Sequence, residues 1–379
     1  MICGKDKCTG CFACYNICPK NAIEMKEDEF GYIYPEIIKS KCINCGLCKK
    51  TCPVLNNVDK IEPIKCFAMY AKNENIRENS TSGGVATQLS KTIIKDNGIV
   101  YGAAFTDECN VSHTRIDNID DLSKIQGSKY VHSYINQTYK NIKKDLISNK
   151  KVLFIGTPCQ VAGLKRFLIK EYNNLYTIDI ICHGVPSQKF LKEEVIRINR
   201  SLKIDRVNFR KENNYGFYII NNNKCKYSIK KEQSPYTDLF MLGYSLRPNC
   251  HKCQYAGRKR ISDITLGDFW GLSKESKLFS EKSKGINVVI CSTEKGLELV
   301  KKVQDKLIFE EREYNEAVNG NTQLRTPINK YNENSKFKIL YRKYNFYKAY
   351  KKMTYKIRIK RKILSFKRKV KKVIKYEQK

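Results

Sequence analysis

Eight of the seventeen cysteines fall into two copies of one pattern. Cys8, Cys11, Cys14 and Cys18, followed by Pro19, spell C-x2-C-x2-C-x3-C-P, and Cys42, Cys45, Cys48 and Cys52, followed by Pro53, spell it again. Three thiolates at such short intervals let one tight loop meet three corners of a cubane, while the fourth, beyond a helix-starting turn, reaches the neighbouring cluster. The spacing predicts two [4Fe-4S] clusters with crossed ligation: Cys8, Cys11, Cys14 and Cys52 hold one, and Cys42, Cys45, Cys48 and Cys18 hold the other. Paired zinc ribbons need no such doubled run, and the tight repeated spacing also argues against a disulfide scaffold. Each cubane passes one electron, so the pair makes a wire, which Phe12, Ile17, Ile43 and Leu47 are expected to bury. Cys3 fits neither set and is expected to be a spare surface thiol.

A looser set follows. Cys159 comes after the apolar run Val152-Leu153-Phe154-Ile155, in Gly156-Thr157-Pro158-Cys159-Gln160, and Cys182 comes after Thr177-Ile178-Asp179-Ile180-Ile181, in Cys182-His183-Gly184-Val185-Pro186. Both sit at strand ends, where α/β folds place ligands. Cys250 and Cys253 add a C-x2-C pair, and four cysteines suffice for a third cubane assembled by the fold rather than by one loop. The local chemistry leaves other roles open: Cys159 and Cys182 as small buried hydrophobes, Cys159 as a nucleophile, and zinc at Cys250 and Cys253 with His251. Upstream, Ser80-Thr81-Ser82-Gly83-Gly84 opens a helix-like stretch. Backbone N–H groups exposed by paired glycines and flanked by hydroxyls suit a phosphate, and equally a plain N-cap. Cys66, Cys109, Cys225 and Cys291 lack such a setting and are read as structural.

In order along the chain, Ser82-Gly83-Gly84, Gly127-Ser128-Lys129-Tyr130, the Cys159 and Cys182 segments, and Cys250-x2-Cys253 leading to Ser262-Asp263 and Asp268-x-Trp270-Gly271 resemble the coenzyme F420 hydrogenase/dehydrogenase beta-subunit family. The resemblance covers roughly residues 66–310, behind a two-cluster, bacterial ferredoxin-like module. It implies FAD contacts from Ser82, Gly83, Gly84, Ser128, Lys129, Tyr130, Gly156 and Thr157, and a third [4Fe-4S] cluster on Cys159, Cys182, Cys250 and Cys253. It further implies an iron-sulfur flavoprotein oxidoreductase that exchanges a hydride with coenzyme F420 or another soluble substrate and passes electrons singly to the clusters. The alternative is a non-enzymatic electron-transfer subunit serving a partner reductase. Lys129 or Arg258 is expected to place positive charge near the flavin; His183 either serves a cluster sulfur or a proton, or is a satisfied polar group.

The elements that must position these residues read as α+β. Residues 1–58 form the two-cluster domain, with 22–25 and 32–35 alternating as a hairpin around Gly31, and 58–64 form a linker. Residues 65–330 alternate strand-like and helix-like runs, a mixed α/β flavin and iron-sulfur domain in which 267–271 read as a turn. A length of 379 residues accommodates these units and a basic helical tail at 335–379. No eighteen-residue apolar run exists to cross a bilayer, and the start lacks a secretory signal, so a cytoplasmic location is expected. Of the net charge of +34, residues 336–379 hold nineteen Lys and Arg against one acid, Glu377. Tyr341, Tyr344, Phe346, Tyr347, Tyr350, Ile363, Phe366, Val370 and Val373 interleave with them at helical spacing, which suits peripheral attachment to an anionic membrane surface or a solvated helix whose apolar face packs on the core. Nucleic acid ranks lower, since no nucleic-acid-binding motif accompanies the charge. A ferredoxin, or a reductase or hydrogenase subunit, is the expected redox partner.

Overall fold

In the computed structural model, which describes residues 2–211 and 214–377 with side chains through 367, each cysteine run wraps as a loop ending in one short helix. These are α1 (Ala13–Ile17) and α2 (Leu47–Lys50), and an antiparallel hairpin of β1 (Ile23–Glu27) and β2 (Ile33–Ile37) joins the two halves. Both helices start from a left-handed residue, Phe12 at φ 63° and Gly46 at φ 73°. That conformation is costly for a bulky residue; the buried Phe12 ring is held between Tyr15 and Tyr134.

The expected linker is pinned, because Ile61 and Arg260 exchange backbone hydrogen bonds. There follow β3 (Lys65–Ala71), α3 (Glu74–Glu78), α4 (Val85–Lys95), β4 (Ile99–Thr106), β5 (Asn110–Ile116), α5 (Thr138–Ile147), β6 (Val152–Gly156), α6 (Pro158–Leu168), β7 (Leu175–Ile180) and α7 (Gln188–Asn199). After these come β8 (Arg206–Lys211), β9 (Asn214–Asn221), β10 (Lys224–Lys230), α8 (Pro235–Leu242), β11 (Ile264–Asp268), β12 (Asn287–Cys291), α9 (Glu294–Lys301), β13 (Leu307–Glu311) and α10 (Tyr314–Gly320).

Eight strands make one sheet in the order β13-β3-β12-β11-β7-β6-β4-β5. Its middle, β11, β7, β6 and β4, is parallel, and antiparallel strands flank it. Parallel strands covered on both faces read as unbroken apolar runs, which is why Val152, Leu153 and Phe154 are wholly buried. Gly267 and Asp268, read from sequence as a turn, instead continue β11 and pair with Val288 and Asn287; the chain turns only after them. Strands β8, β9 and β10 form a separate antiparallel sheet.

Met1–Asn329 form one compact unit and Lys330–Lys379 a second. The second consists of α11 (Tyr331–Lys343), α12 (Phe346–Met353) and α13 (Tyr355–Glu377). Phe337 and Phe346 meet edge-to-face at 6.1 Å and pin α11 to α12. Along α13, Ile359, Ile363 and Phe366 are exposed, while Val370 and Val373 lie outside the described side chains. Among the described residues, no helix is long and apolar enough to cross a membrane.

Candidate functional site

The doubled motif folds into two loops that bring its cysteines together across the repeat. Cys8, Cys11, Cys14 and Cys52 line one void, and Cys14 senses the charge of the other three. In the other half, Cys48 faces Cys45 and Cys18. Two expectations need correction. Cys3 is not a surface thiol: it is half-buried and lines the same void as Cys8 and Cys52, because the N-terminal residues fold back over the first loop. Ile43 does not bury the second cluster loop. It is 57% exposed, and Cys45 is exposed beside it, since α1 is the half of the repeat that packs against α5 and α6.

The sheet gathers the looser set. Cys159 is the second residue of α6, directly after β6; Cys182 lies just past β7; Cys250 and Cys253 lie in the loop leading to β11. With β6, β7 and β11 side by side, Cys182 senses Cys250, Cys159 and Cys253. Burial pushes the Cys159 and Cys250 thiols up to about 12. Among the described residues, no three thiol, imidazole or carboxylate groups close on one point as a mononuclear ion requires. His251 turns its Nδ1 to the Ile328 carbonyl, 3.0 Å away, rather than joining the cysteines.

Polar clamps hold this loop. Arg260, buried, donates to Asp179 Oδ1 at 3.1 Å and to the Tyr255 carbonyl at 3.2 Å, fastening the segment after Cys253 to β7. Asp263 accepts from the Thr177 N–H and hydroxyl, both at 2.7 Å, and ties β11 to β7. The ferredoxin-like module packs directly beneath. A Cβ on Gly163, one turn along α6 from Cys159, would sit 3.1 Å from Cys11 Sγ and 2.9 Å from the Tyr139 hydroxyl, so this glycine permits the close approach.

Above the four cysteines, a cavity of about 510 Å³ opens at the carboxyl ends of the parallel strands, the position and size expected of a ligand site. Seven of the eight residues expected at a flavin line it: Ser82, Gly84, Ser128, Lys129, Tyr130, Gly156 and Thr157. Gly83 does not, and its missing side chain has another cause: a Cβ there would collide with the Met69 carbonyl. Gly84, at φ 80°, starts α4 with no side chain of its own to cap it, the Val85 N–H donating instead to Asn287 Oδ1 at 3.2 Å, and among the described residues the buried Ser82 hydroxyl has no hydrogen-bond partner. The Tyr130 ring stacks on Phe240 at 4.8 Å with Tyr215 beside it, a flat aromatic shelf. Thr157 lies 3.1 Å from Cys159 Sγ through its hydroxyl, and Cys182 lines the cavity itself, so the cavity and the four-cysteine site share a wall.

Lys129 Nζ donates to the Gln126 and Lys124 carbonyls, at 2.7 and 3.2 Å, and burial together with Arg206 lowers it to about 7. Arg258, the other expected cation, is not at the cavity; it lies over the Tyr314 ring and bonds Asn315. His183 faces the Phe240 carbonyl and Gln323, each at 3.2 Å, as a satisfied polar group on the wall. His113 also lines the cavity, and the sequence does not single it out. Set between Ser133 and the Ile155 carbonyl, it is lowered by burial to about 4 and is therefore neutral near pH 7. Tyr215 lies on a strand with no strong sequence signal, whereas Asp268, bonded to Arg210 at 2.7 Å, and Trp270 belong to a motif whose positions carried no assigned contact.

Two family models described as coenzyme F420 hydrogenase/dehydrogenase, beta subunit, match the chain: the N-terminal one over residues 66–139 and the C-terminal one over 149–317. A 4Fe-4S dicluster domain matches 7–56. The coenzyme F420-dependent sulfite reductase of Methanocaldococcus jannaschii is 27% identical over 186 residues, which are 47% of this chain and 28% of that protein. A subunit of the F(420)H(2) dehydrogenase of Methanosarcina mazei is 22% identical over 287 residues, 69% of this chain and 75% of its own. The F420-reducing [NiFe] hydrogenase complex of Methanosarcina barkeri includes a chain that superposes with a TM-score of 0.47 at 18% identity, covering 70% of this chain and 91% of that one.

Proposed function

Since the chain belongs to the coenzyme F420 hydrogenase/dehydrogenase beta-subunit family and carries an N-terminal two-cluster 4Fe-4S domain, we propose that it is a flavin-dependent electron relay with hydride chemistry at one end. FAD occupies the cavity, a third [4Fe-4S] cluster is held by Cys159, Cys182, Cys250 and Cys253, and the two ferredoxin-type clusters follow. The observation that carries this reading is the shared wall, where Cys182 and Thr157 belong to both the cavity and the four-cysteine site.

The residues fit these groups. Ser82 and the first-turn N–H groups of α4 other than that of Val85, which donates to Asn287, are suited to phosphate; Tyr130 and Phe240 offer a face for a planar ring; Lys129 supplies a cation whose charge a bound anion stabilises. Bound flavin supplies the exchange between a two-electron hydride and single electrons. Around it, neutral His113 and His183 are held by fixed partners, and Cys182 reaches the cavity wall while Cys159 sits behind Thr157. The hydride partner is coenzyme F420 or another soluble substrate. At the far end, exposed Cys45 and Ile43 form the port for a redox partner, either a ferredoxin or a reductase or hydrogenase subunit. The basic helix α13, with Ile363 and Phe366 outward, rests on an anionic membrane surface.

Anaerobic purification followed by iron and flavin quantification tests the reading. It predicts about twelve irons and about one FAD per chain. About eight irons without flavin would leave the non-enzymatic electron-transfer subunit as the better description.

A further inference from the structure

Arg247 is among the largest fully buried side chains, 1% exposed, and has no carboxylate partner among the described residues. Its backbone belongs to the loop of the four-cysteine site: its N–H donates to the Val185 carbonyl at 2.8 Å, and its own carbonyl accepts the Cys250 N–H at 3.0 Å. Its side chain crosses into the two-cluster module. There Nε donates to the Cys8 carbonyl at 2.8 Å, Nη2 donates to the Ile33 carbonyl at 2.7 Å, and the guanidinium lies 4.3 Å from the Tyr34 ring centre. Among the described residues Nη1 is buried without a hydrogen-bond partner, and the guanidinium lies beside the Cys8 side chain. Room for it depends on Gly10, where a Cβ would come within 3.2 Å of Nη1.

A cation buried this deeply is tolerated only against negative charge. The ionisable groups it senses most strongly are Cys8, Tyr34 and Cys250, and Cys159 senses it in turn. Cys8 belongs to one cysteine set and Cys250 and Cys159 to the other. Close approach of the two sets is independently required by Gly163, which brings Cys11 Sγ against α6 one turn from Cys159.

We propose that Arg247 is a shared cationic bridge between the cluster on Cys8, Cys11, Cys14 and Cys52 and the cluster on Cys159, Cys182, Cys250 and Cys253. Its permanent charge raises the reduction potentials of both. Net charge and hydrogen bonds to sulfur are the levers by which a protein sets such potentials. The inference rests on the three-cluster reading. It is a positioning and tuning role, with the electrons remaining on the clusters.

The test is an anaerobic redox titration of the full chain followed by electron paramagnetic resonance, with iron counted in the same samples. Arg247→Met is expected to keep its iron and to lose about tenfold in the one-electron reduction equilibrium of two clusters, which is about 59 mV. The cluster on Cys42, Cys45, Cys48 and Cys18 serves as the unmoved reference, and Arg247→Lys, which keeps the charge, recovers most of the shift. Full iron with all three potentials unmoved in Arg247→Met overturns the bridge. If Arg247→Met sheds iron, Arg247→Lys decides: retained clusters near wild-type potentials support the charge role, and equal loss of iron assigns Arg247 to packing and overturns it. A wild-type chain holding only about eight irons refutes the three-cluster reading itself, a result distinct from unmoved potentials.

Discussion

Lys129 shows how one side chain at the cavity makes its presence measurable. Its ammonium is lowered from 10.5 to about 7 by burial and by Arg206, so in the ligand-free folded chain it is neutral where the unfolded chain still carries the proton. The destabilisation is therefore fully present below about pH 7 and is relieved as pH rises from about 7 toward 10.5, because across that window the unfolded state binds more protons. Denaturant midpoints at pH 7 and pH 9 are expected to rise more in the flavin-free chain than in Lys129→Met, and bound FAD, whose phosphates favour the charged lysine, is expected to flatten that rise. An equal pH response in both chains would remove Lys129 from the ligand's surroundings. At this scale the two N-terminal cysteine runs are legible, since a cluster-binding loop is written in local spacing. Cys3, Ile43 and Arg258 are not, because exposure depends on which half of the repeat is covered and which loop reaches the cavity, neither of which is local.

Among the elements, α6 carries the most function per residue. It begins at the cavity wall with Thr157 as a capping box with Gln160, presents Cys159 in its first turn, and one turn later offers Gly163 to the ferredoxin-like module. Gly163→Ala forces a methyl against Cys11 and Tyr139, and overpacking of this kind costs about 1–3 kcal/mol. Denaturant unfolding is expected to register that loss, with a changed resonance signal from the cluster on Cys11; an unaltered signal would mean that the two sites are not in register. The strands β3, β4, β6 and β7 are legible because buried parallel or central strands are continuous apolar runs. The β8-β9-β10 sheet is not, although β8 and β10 alternate polar and apolar residues, because these short basic runs carry no motif and β10 is exposed along most of its length. A further signal is the turn at Asn222 and Asn223, whose φ angles of 50° and 55° suit asparagine. Gly267 reads as a turn for a related reason: in β11 it makes room for the Ile181 side chain rather than bending the backbone.

For the whole molecule, the parts follow one another in space though not in chain order: an exposed cluster loop at Cys45, a buried one beside α6, the four-cysteine site, and the cavity. Deletion of residues 355–379 is expected to leave iron content and cluster signals intact while abolishing sedimentation with anionic phosphatidylserine vesicles; retained sedimentation would take α13 out of the account. The proposal that electrons pass between the cavity and the N-terminal clusters through Cys159, Cys182, Cys250 and Cys253 is tested most directly by rapid mixing of the flavin-loaded chain with reduced coenzyme F420, following flavin absorbance and freeze-quenched cluster signals in wild type and Cys159→Ser. The account predicts that both chains lose flavin absorbance at similar rates, while the N-terminal clusters become reduced in wild type and stay oxidised on that timescale in the variant. Equally fast reduction of those clusters in a variant that has lost about four irons would contradict it.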